Sequence, residues 1–226
     1  METLIINAEM KECRNAGMQK ESWQLAIMTL LLLFISLTLS AQTNIKAVQD
    51  AFETSYAQEK KGELNKAMST LTAVYAEDSY EINARLGWLN YVAGLFTESM
   101  AYYQKAIKLK PYAIEARFGF VNPAYALGNL DQVITQYQEI LKIDPQNTIA
   151  NYRMASIYYG KNDFAMAGRY IDKVVNLYPF DYDSHLLYGW ILLKQGKTRE
   201  AQVMFNKVLI IKPKDVSATQ GLSQIK

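Results

Sequence analysis

The sequence predicts an all-α solenoid of paired antiparallel helices, and two markers repeating every 34 residues support this. Helical phrases such as KAIKLKP end on prolines at this spacing, namely Pro111, Pro145, Pro179 and Pro213. Half a period before each proline, and therefore at the same spacing, stand Gly94, Gly128, Asn162 and Gly196. Glycine, and next asparagine, accept a positive φ with little steric penalty, which fits a tight turn between two helices. Each period is therefore helix, turn, helix and a proline that ends the second helix.

Apolar residues in the second half of each period share one helical face. They are Tyr103, Tyr137, Ile171 and Phe205, followed three residues later by Ala106, Ile140, Val174 and Val208. Spacings of three and four place such residues on one side of a helix, where they can pack against a partner. Ser99, Ala167 and Ala201 are small residues expected where paired helices approach closely. Thr97, Asp131 and Thr198 are expected to cap the second helices.

Two stretches resemble tetratricopeptide repeats: LGWLNYVAGLFTESMAYYQKAIKLKP at 86–111 and YGWILLKQGKTREAQVMFNKVLIIKP at 188–213. The family signature is a Leu-Gly pair in the first helix, a turn glycine, a small residue and an aromatic in the second helix, and a terminal proline. The resemblance implies an α-α solenoid of about five helix-turn-helix repeats, at about 46–79, 80–113, 114–147, 148–181 and 182–215, with a short capping helix over 216–226. Repeats 114–147 and 148–181 match more loosely, and the first lacks the proline.

An apolar run near the start predicts export. Residues 25–39, LAIMTLLLLFISLTL, carry no charge and precede Ser40-Ala41-Gln42. As a helix this run would measure about 22 Å, short of the ~30 Å hydrocarbon core. We therefore expect a signal peptide over 1–41, cleaved after Ala41 or Ser40, rather than a retained anchor. A true start at Met18 would give the leader a short first segment, MQKESWQ, that carries Lys20. The mature solenoid would then cover 42–226, without an integral membrane span.

Composition argues against catalysis and nucleic-acid binding. The 24 Lys and Arg nearly balance the 22 Asp and Glu, and no basic stripe is present. The single histidine, His185, and the single cysteine, Cys13, cannot together form a metal site or a catalytic triad, and His185 is expected on the surface or between repeats. The glycines follow the repeat period rather than a phosphate-binding loop. We expect neither an enzyme, a cofactor nor a bound metal.

The resemblance implies that the first helix of each repeat lines a concave groove. The expected partner-binding residues are Phe52, Tyr56, Trp88, Tyr91, Phe118, Asn122, Tyr125, Tyr152, Tyr159 and Trp190. Such an aromatic groove would bind by stacking and apolar burial. The opposing interpretation is that aromatics at helical spacing form core, and we expect about half of this set to be buried. Of the Lys and Asn set with which some members grip a C-terminal carboxylate, only Asn122 is matched, which disfavours that function.

Pro123 breaks the local rules of the predicted helix that contains it. A proline in a helix interior removes one hydrogen bond and clashes with the carbonyl four residues before, at a cost of about 3 kcal/mol. That earlier residue is Gly119, which is expected to relieve the clash. Of the two interpretations, a tolerated kink beside the groove or a strained functional site, the sequence favours the kink.

The expected function is a non-catalytic protein-protein interaction module of the bacterial cell envelope, exported to the periplasm or the cell surface. Its partner would be a peptide or protein segment, whose identity the sequence does not reveal. Three alternatives stay open: a glycan-binding protein that stacks sugars on the aromatic stripe, a membrane-tethered assembly factor that keeps the 25–39 helix, and self-association through a terminal repeat.

Overall fold

A computed structural model describes residues 45–225 of the chain, and every regular element in that range is an α-helix. The all-α prediction is confirmed. The helices are α1 (45–60), α2 (Leu64–Thr72), α3 (Tyr80–Val92), α4 (Phe96–Leu109), α5 (Ile114–Ala126), α6 (Leu130–Ile143), α7 (Thr148–Gly160), α8 (Phe164–Leu177), α9 (Tyr182–Lys194), α10 (Thr198–Ile211) and α11 (Val216–Ser223). The chain divides after Val74 into two units, described separately below.

The unit beginning at Tyr75 contains four helix pairs, each in the predicted register. The pairs are α3 with α4, α5 with α6, α7 with α8, and α9 with α10, and α11 packs on the last pair as the predicted cap. The turn inside each pair has a positive φ, as expected: 77° at Gly94, 73° at Gly128, 61° at Asn162 and 75° at Gly196. Both the 34-residue period and the conformation of its turns are thus confirmed.

The three residues predicted to cap second helices do not cap them. Thr97, Asp131 and Thr198 lie inside the first turns of α4, α6 and α10, so their expected capping role is wrong. Side-chain caps recur instead at the start of the first helices and of α11: the side chains of Ser79, Asn147, Asp181 and Asp215 each accept a hydrogen bond from the backbone N–H three residues later. These caps are also 34 residues apart, except that Ala113 interrupts the series.

Two aromatic rings of the second helices fit between glycines of the helices before and after them. A Cβ added at Gly87 would come within 2.9 Å of the Tyr103 ring, and one added at Gly119 would overlap the other side of the same ring. Phe205 stands in the same relation to Gly189 and Gly221. Glycine at these places lets neighbouring first helices close over a large buried ring, which fixes the distance between repeats.

A polar residue near the start of each first helix is buried and bonded to backbone. The four residues, 34 apart, are Asn83, Arg117, Asn151 and His185. Asn83 donates to the carbonyls of Glu77 and Ser79 at 3.0 and 2.7 Å, and Asn151 makes the two equivalent bonds. Because these carbonyls belong to the loop before the helix, each bond ties a repeat to its own leading loop.

Buried His185 fills this position less completely. Its Nδ1 donates to the carbonyl of Asp181 at 2.7 Å, while its buried Nε2 has no hydrogen-bond partner within residues 45–225. Of the two positions expected for His185, the surface one is wrong, because the imidazole is buried and bonded to the residue that precedes its own helix.

Pro123 lies within α5, which the backbone continues as helix from Ile114 to Ala126. The proline is buried, and its carbonyl still accepts a bond from the N–H of Leu127. The glycine four residues earlier, Gly119, makes room for the Tyr103 ring, a reason for glycine there that the sequence did not suggest.

The unit of residues 45–74 is one helix pair. Its turn residue Gly62 has a φ of 76°, like the turn glycines of the later repeats. Ala67 and Leu71 on α2 are fully buried, and Thr70 donates to Gln58 on α1 at 3.0 Å. A degenerate repeat of helix, turn and helix is therefore present here, as predicted.

Within residues 45–225 no helix is both long and apolar enough to cross a bilayer. The predicted signal segment over 1–41 and its cleavage site lie outside the described residues, and export stays a prediction. The extent of the solenoid domain, 42–226, is likewise not tested.

Candidate partner-binding groove

The first helices α3, α5, α7 and α9 carry eight of the ten predicted binding residues. On α3 and α5 these are Trp88, Tyr91, Phe118, Asn122 and Tyr125, and on α7 and α9 they are Tyr152, Tyr159 and Trp190. The spacing of three and four residues within each helix directs them to one side of that helix. We call the surface that these four helices share the first-helix groove.

The first-helix groove contains a pocket of about 910 Å³. Its lining joins three predicted binding residues, Tyr91, Asn122 and Tyr125, to Ser156 and to Arg153, of which Arg153 was not predicted. Val121, Val133 and Tyr137 contribute apolar surface from α5 and α6. Aromatic walls with a few polar groups are typical of recognition sites for peptides and small molecules.

Trp88 and Tyr125 are the most exposed aromatic residues of the predicted set on these helices, with 40% and 67% of their surfaces accessible. The Trp88 ring lies 6.0 Å from the Tyr91 ring, and Tyr91 in turn lies 5.9 Å from Phe96. Linked aromatic rings of this kind hold their positions before a ligand arrives, which lowers the entropic cost of binding. Large exposed aromatics are also the residues in which interfaces concentrate binding energy.

The remaining aromatics of the set are half-buried and pack on the repeat core. The ring of Phe118 is 6.3 Å from Tyr137, and that of Tyr159 is 5.6 Å from Phe164. Tyr152 packs on the core that α7, α8 and α9 share, and burial raises the pKa of its phenol. These side chains support the helices and present only part of their surface to the groove.

Trp190 is held in place by the capping helix. Its Nε1 donates to Ser217 Oγ of α11 at 3.0 Å, and its ring meets Phe205 edge-on at 5.3 Å. The indole is therefore half-buried, whereas its counterpart Trp88 is exposed. A partner would meet less of Trp190 than the sequence predicted.

Phe52 and Tyr56 lie on α1, in the unit of residues 45–74. Their rings are 6.3 Å apart, with Tyr56 exposed and Phe52 half-buried.

The pocket is positively charged. Arg153 and Lys161 lie in its lining, which contains no Asp or Glu. Neither cation forms an ion pair within the part of the chain that is described. Burial raises the pKa of Tyr137, and the charge of Arg153 acts on that phenol in the opposite direction. The guanidinium thus stands near the aromatic floor of the pocket.

Arg153 was not among the predicted binding residues, because that prediction rested on stripes of aromatic side chains. The 34-residue register itself could have revealed it, since Arg153 follows Gly119 by one period. Where one repeat has a glycine and the next has an arginine at the equivalent position, the surface of the groove differs between the two repeats.

No cluster of three or more metal-ligating side chains occurs within residues 45–225. His185, the one histidine, is buried on α9 with its Nδ1 bonded to backbone. The arrangement of the groove suits recognition of another molecule by contact.

A family model for the tetratricopeptide repeat matches residues 52–114 and 152–215, which together exceed half of the chain. The chain belongs to the tetratricopeptide repeat family. Its repeats make it a protein-protein interaction module, since tetratricopeptide proteins bind protein or peptide partners and are generally non-catalytic scaffolds.

Curated relatives share single stretches of repeats with this tetratricopeptide protein. DnaJ homolog subfamily C member 3 of Homo sapiens is 33% identical over 100 residues, covering 44% of this chain and 20% of the relative. A TPR repeat-containing protein of Methanocaldococcus jannaschii is 23% identical over 194 residues, covering 67% of this chain and 32% of the relative. The chain therefore spans only about a fifth to a third of the length of these relatives.

Solved tetratricopeptide structures share the fold. A repeat protein from Parabacteroides merdae aligns with a TM-score of 0.68 at 19% identity, covering 80% of this chain and 72% of that one. YrrB, described as a TPR protein with an unusual peptide-binding site, aligns with a TM-score of 0.64 at 13% identity, covering 82% and 97%. At these identities the likeness concerns the fold alone.

Proposed function

We propose that this tetratricopeptide protein is an exported module of the bacterial cell envelope that holds a segment of a partner protein in its first-helix groove. One observation carries the proposal: the pocket between α5 and α7 joins the predicted residues Tyr91, Asn122 and Tyr125 in one lining. The fold likeness to YrrB, which is described as having a peptide-binding site, supports a peptide as occupant.

The chemistry of the pocket favours an extended peptide. Tyr125 and Tyr91 offer apolar faces, while the amide of Asn122 can both donate to and accept from a peptide backbone. A glycan site would be expected to place acidic groups beside exposed aromatics, and none lines this pocket. We therefore place peptide binding ahead of glycan binding.

Location in the envelope is proposed from the sequence. The uncharged run over 25–39 and the small residues Ser40 and Ala41 support a cleaved leader. Mass spectrometry of the protein from envelope and medium fractions tests this, with a mature N-terminus at or near Gln42 as the expected result. An intact leader in the membrane pellet would instead support the membrane-tethered alternative.

The binding function is tested by removing two exposed aromatics from the groove. Trp88→Ala combined with Tyr125→Ala should abolish crosslinked capture of envelope proteins, because truncating aromatic anchors often costs about 2 kcal/mol each, roughly thirtyfold in affinity. Helical circular dichroism should stay unchanged. The matched control is Tyr112→Ala, which removes an exposed tyrosine from the loop after Pro111.

Each outcome separates the hypotheses. If the double variant folds and captures the same proteins as the unmodified chain, the first-helix groove is not the binding surface. If it unfolds, Trp88 and Tyr125 serve to stabilise the fold, and the groove assignment fails for that reason. Loss of capture by the control alone would move the binding surface to the connecting loops.

A further inference from the structure

The pocket in the first-helix groove exists because two neighbouring first helices, α5 and α7, do not pack closely against each other. In the earlier repeat, Gly87 and Gly119 let α3 and α5 close over the ring of Tyr103. One period later, the residues in those places are Val121 and Arg153. With side chains there, α5 and α7 do not make the close approach seen between α3 and α5, and the ring of Tyr137 lines the pocket.

The same exchange puts a positive charge into the gap. Arg153 is exposed and lies in the lining together with Lys161. A guanidinium offers a planar fork of N–H donors, which matches the two oxygens of a carboxylate. Within residues 45–225 no carboxylate forms an ion pair with either cation, so this capacity is open to a ligand.

The other polar groups of the pocket indicate where a carboxylate would lie. Ser156 donates its hydroxyl hydrogen to the carbonyl of Tyr152 at 3.0 Å, so it cannot also donate to an anion. Exposed Asn122 faces the gap from α5 and can donate its amide hydrogens. Asp183 and Asp181 are the acids whose charges act on Tyr152, and both lie outside the pocket lining. Asn122, Arg153 and Lys161 are therefore the side chains of the lining whose N–H groups can donate to an anion.

We propose that the pocket between α5 and α7 selects partner segments that present an Asp or Glu side chain next to an aromatic or large apolar one. The carboxylate would pair with Arg153, assisted by Asn122, and the neighbouring side chain would lie against Tyr125 and Tyr91. This inference rests on the proposed groove function and adds to it the chemical class of the bound segment.

A selection experiment with random peptides tests the charge preference and does not require the natural partner. The full chain is immobilised and used to select from a displayed library of random peptides, in parallel with Arg153→Glu and with Arg199→Glu. Arg199 is exposed in the first turn of α10, so its exchange makes the same change in charge away from the pocket. The unmodified chain and Arg199→Glu should both select peptides enriched in Asp or Glu beside an aromatic residue. Arg153→Glu should instead select peptides enriched in Lys or Arg.

Affinity measurements then locate the contact. One selected acidic peptide and its Glu→Gln counterpart are titrated, by fluorescence anisotropy, against the unmodified chain and against Arg153→Gln. Either change alone should weaken binding about tenfold, as expected for a lost charge-assisted hydrogen bond, and the two together should weaken it little further. Raising the salt concentration should reduce the difference in affinity between the acidic peptide and its Glu→Gln counterpart, because salt screens the charge interaction.

Two failures can be told apart. If selected peptides show no acidic preference, or if Arg153→Gln binds as the unmodified chain does while Tyr125→Ala abolishes binding, the charge preference is wrong and the groove function stands. If Trp88→Ala with Tyr125→Ala also leaves peptide binding intact, the groove function itself is overturned. Circular dichroism of Arg153→Gln, expected to match that of the unmodified chain, shows that its loss of binding is not a loss of fold.

Discussion

The ring of Tyr103 occupies the space that a Cβ would fill at Gly119. The tyrosine belongs to α4 and the glycine to α5, so this pair joins consecutive repeats. Because the ring is buried, it cannot move aside when Gly119 is replaced by a larger residue. The relationship leads to the first prediction.

Gly119→Ala should destabilise the protein by about 1–3 kcal/mol, because overpacking forces a shift of the Tyr103 ring or of the backbone. The measurement is the free energy of unfolding from urea titration. Gly160→Ala is the matched control: Gly160 also lies in a helix, but a Cβ there would meet nothing within 4 Å, so alanine should be neutral or stabilising. Adding Tyr103→Leu to Gly119→Ala should recover part of the lost free energy of unfolding. Equal stability of Gly119→Ala and Gly160→Ala would show that the Tyr103 ring does not pack against Gly119.

Gly196→Val should cost about 1–3 kcal/mol through backbone strain alone. The φ of Gly196 is 75°, and a Cβ there would meet no atom within 4 Å, so sterics outside the backbone are not involved. Asn162→Gly should be neutral or slightly stabilising, since Asn162 holds a φ of 61° in the equivalent turn. Thermal unfolding measures both, and an unchanged midpoint for Gly196→Val would show that the turn can adopt another conformation.

Asp215 should make the capping helix sensitive to acid. Its carboxylate accepts bonds from the N–H of Ala218, the hydroxyl of Tyr182 and the ammonium of Lys212, at 2.9, 2.7 and 3.0 Å. These bonds, with the Ala218 N–H first, lower the pKa of Asp215 from 3.8 to about 2. A lowered pKa in the folded state stabilises the fold at pH values above the ordinary pKa, and this stabilisation disappears as the pH falls towards the lowered one.

Asp215→Asn should therefore lower the thermal midpoint at neutral pH and flatten its decline between about pH 4 and pH 2. Asp78→Asn, in the exposed turn before α3, serves as control and should leave both properties unchanged. The same acid slope in Asp215→Asn and the unmodified chain would show that Asp215 contributes nothing to acid unfolding.

His185→Asn should preserve stability to within about 1 kcal/mol, because asparagine already fills the equivalent position at Asn83 and Asn151 with two backbone bonds. His185→Ala, which leaves a cavity and no side-chain donor, should lose about 2 kcal/mol or more. Urea titration measures the free energy of unfolding of both variants. If His185→Asn loses as much stability as His185→Ala, position 185 is not equivalent to positions 83 and 151.

The sequence predicted the fold well because single residues mark the turns and helix ends of each repeat. Turn residues such as Gly94 and Asn162 must satisfy a local backbone conformation, which one residue can reveal. Capping was predicted less well: Thr97 stands near the start of α4 in sequence but inside the helix in space. The N-cap position of α4 is Leu95, two residues before Thr97, and periodicity does not resolve so small an offset.

The groove was predicted only in part, because exposure depends on what packs on a helix from outside its repeat. Trp88 and Trp190 occupy matching sequence contexts, yet α11 covers only the second. Arg153 depends on the same kind of information, since its place in a pocket follows from the separation of α5 and α7. Contacts between repeats are set by pairs of residues far apart in sequence, and a single sequence does not pair them.

The buried polar residues at the start of the first helices have a consequence for how such a chain can change length. The bonds from Asn83 and Asn151 to backbone carbonyls reach back six residues at most, to the loop that precedes each helix. Nothing in this tether depends on the number of repeats before or after it. Duplication or deletion of one whole period in the gene would carry the tether along intact, so an ancestor could gain or lose binding surface in units of one repeat without inventing new anchoring chemistry.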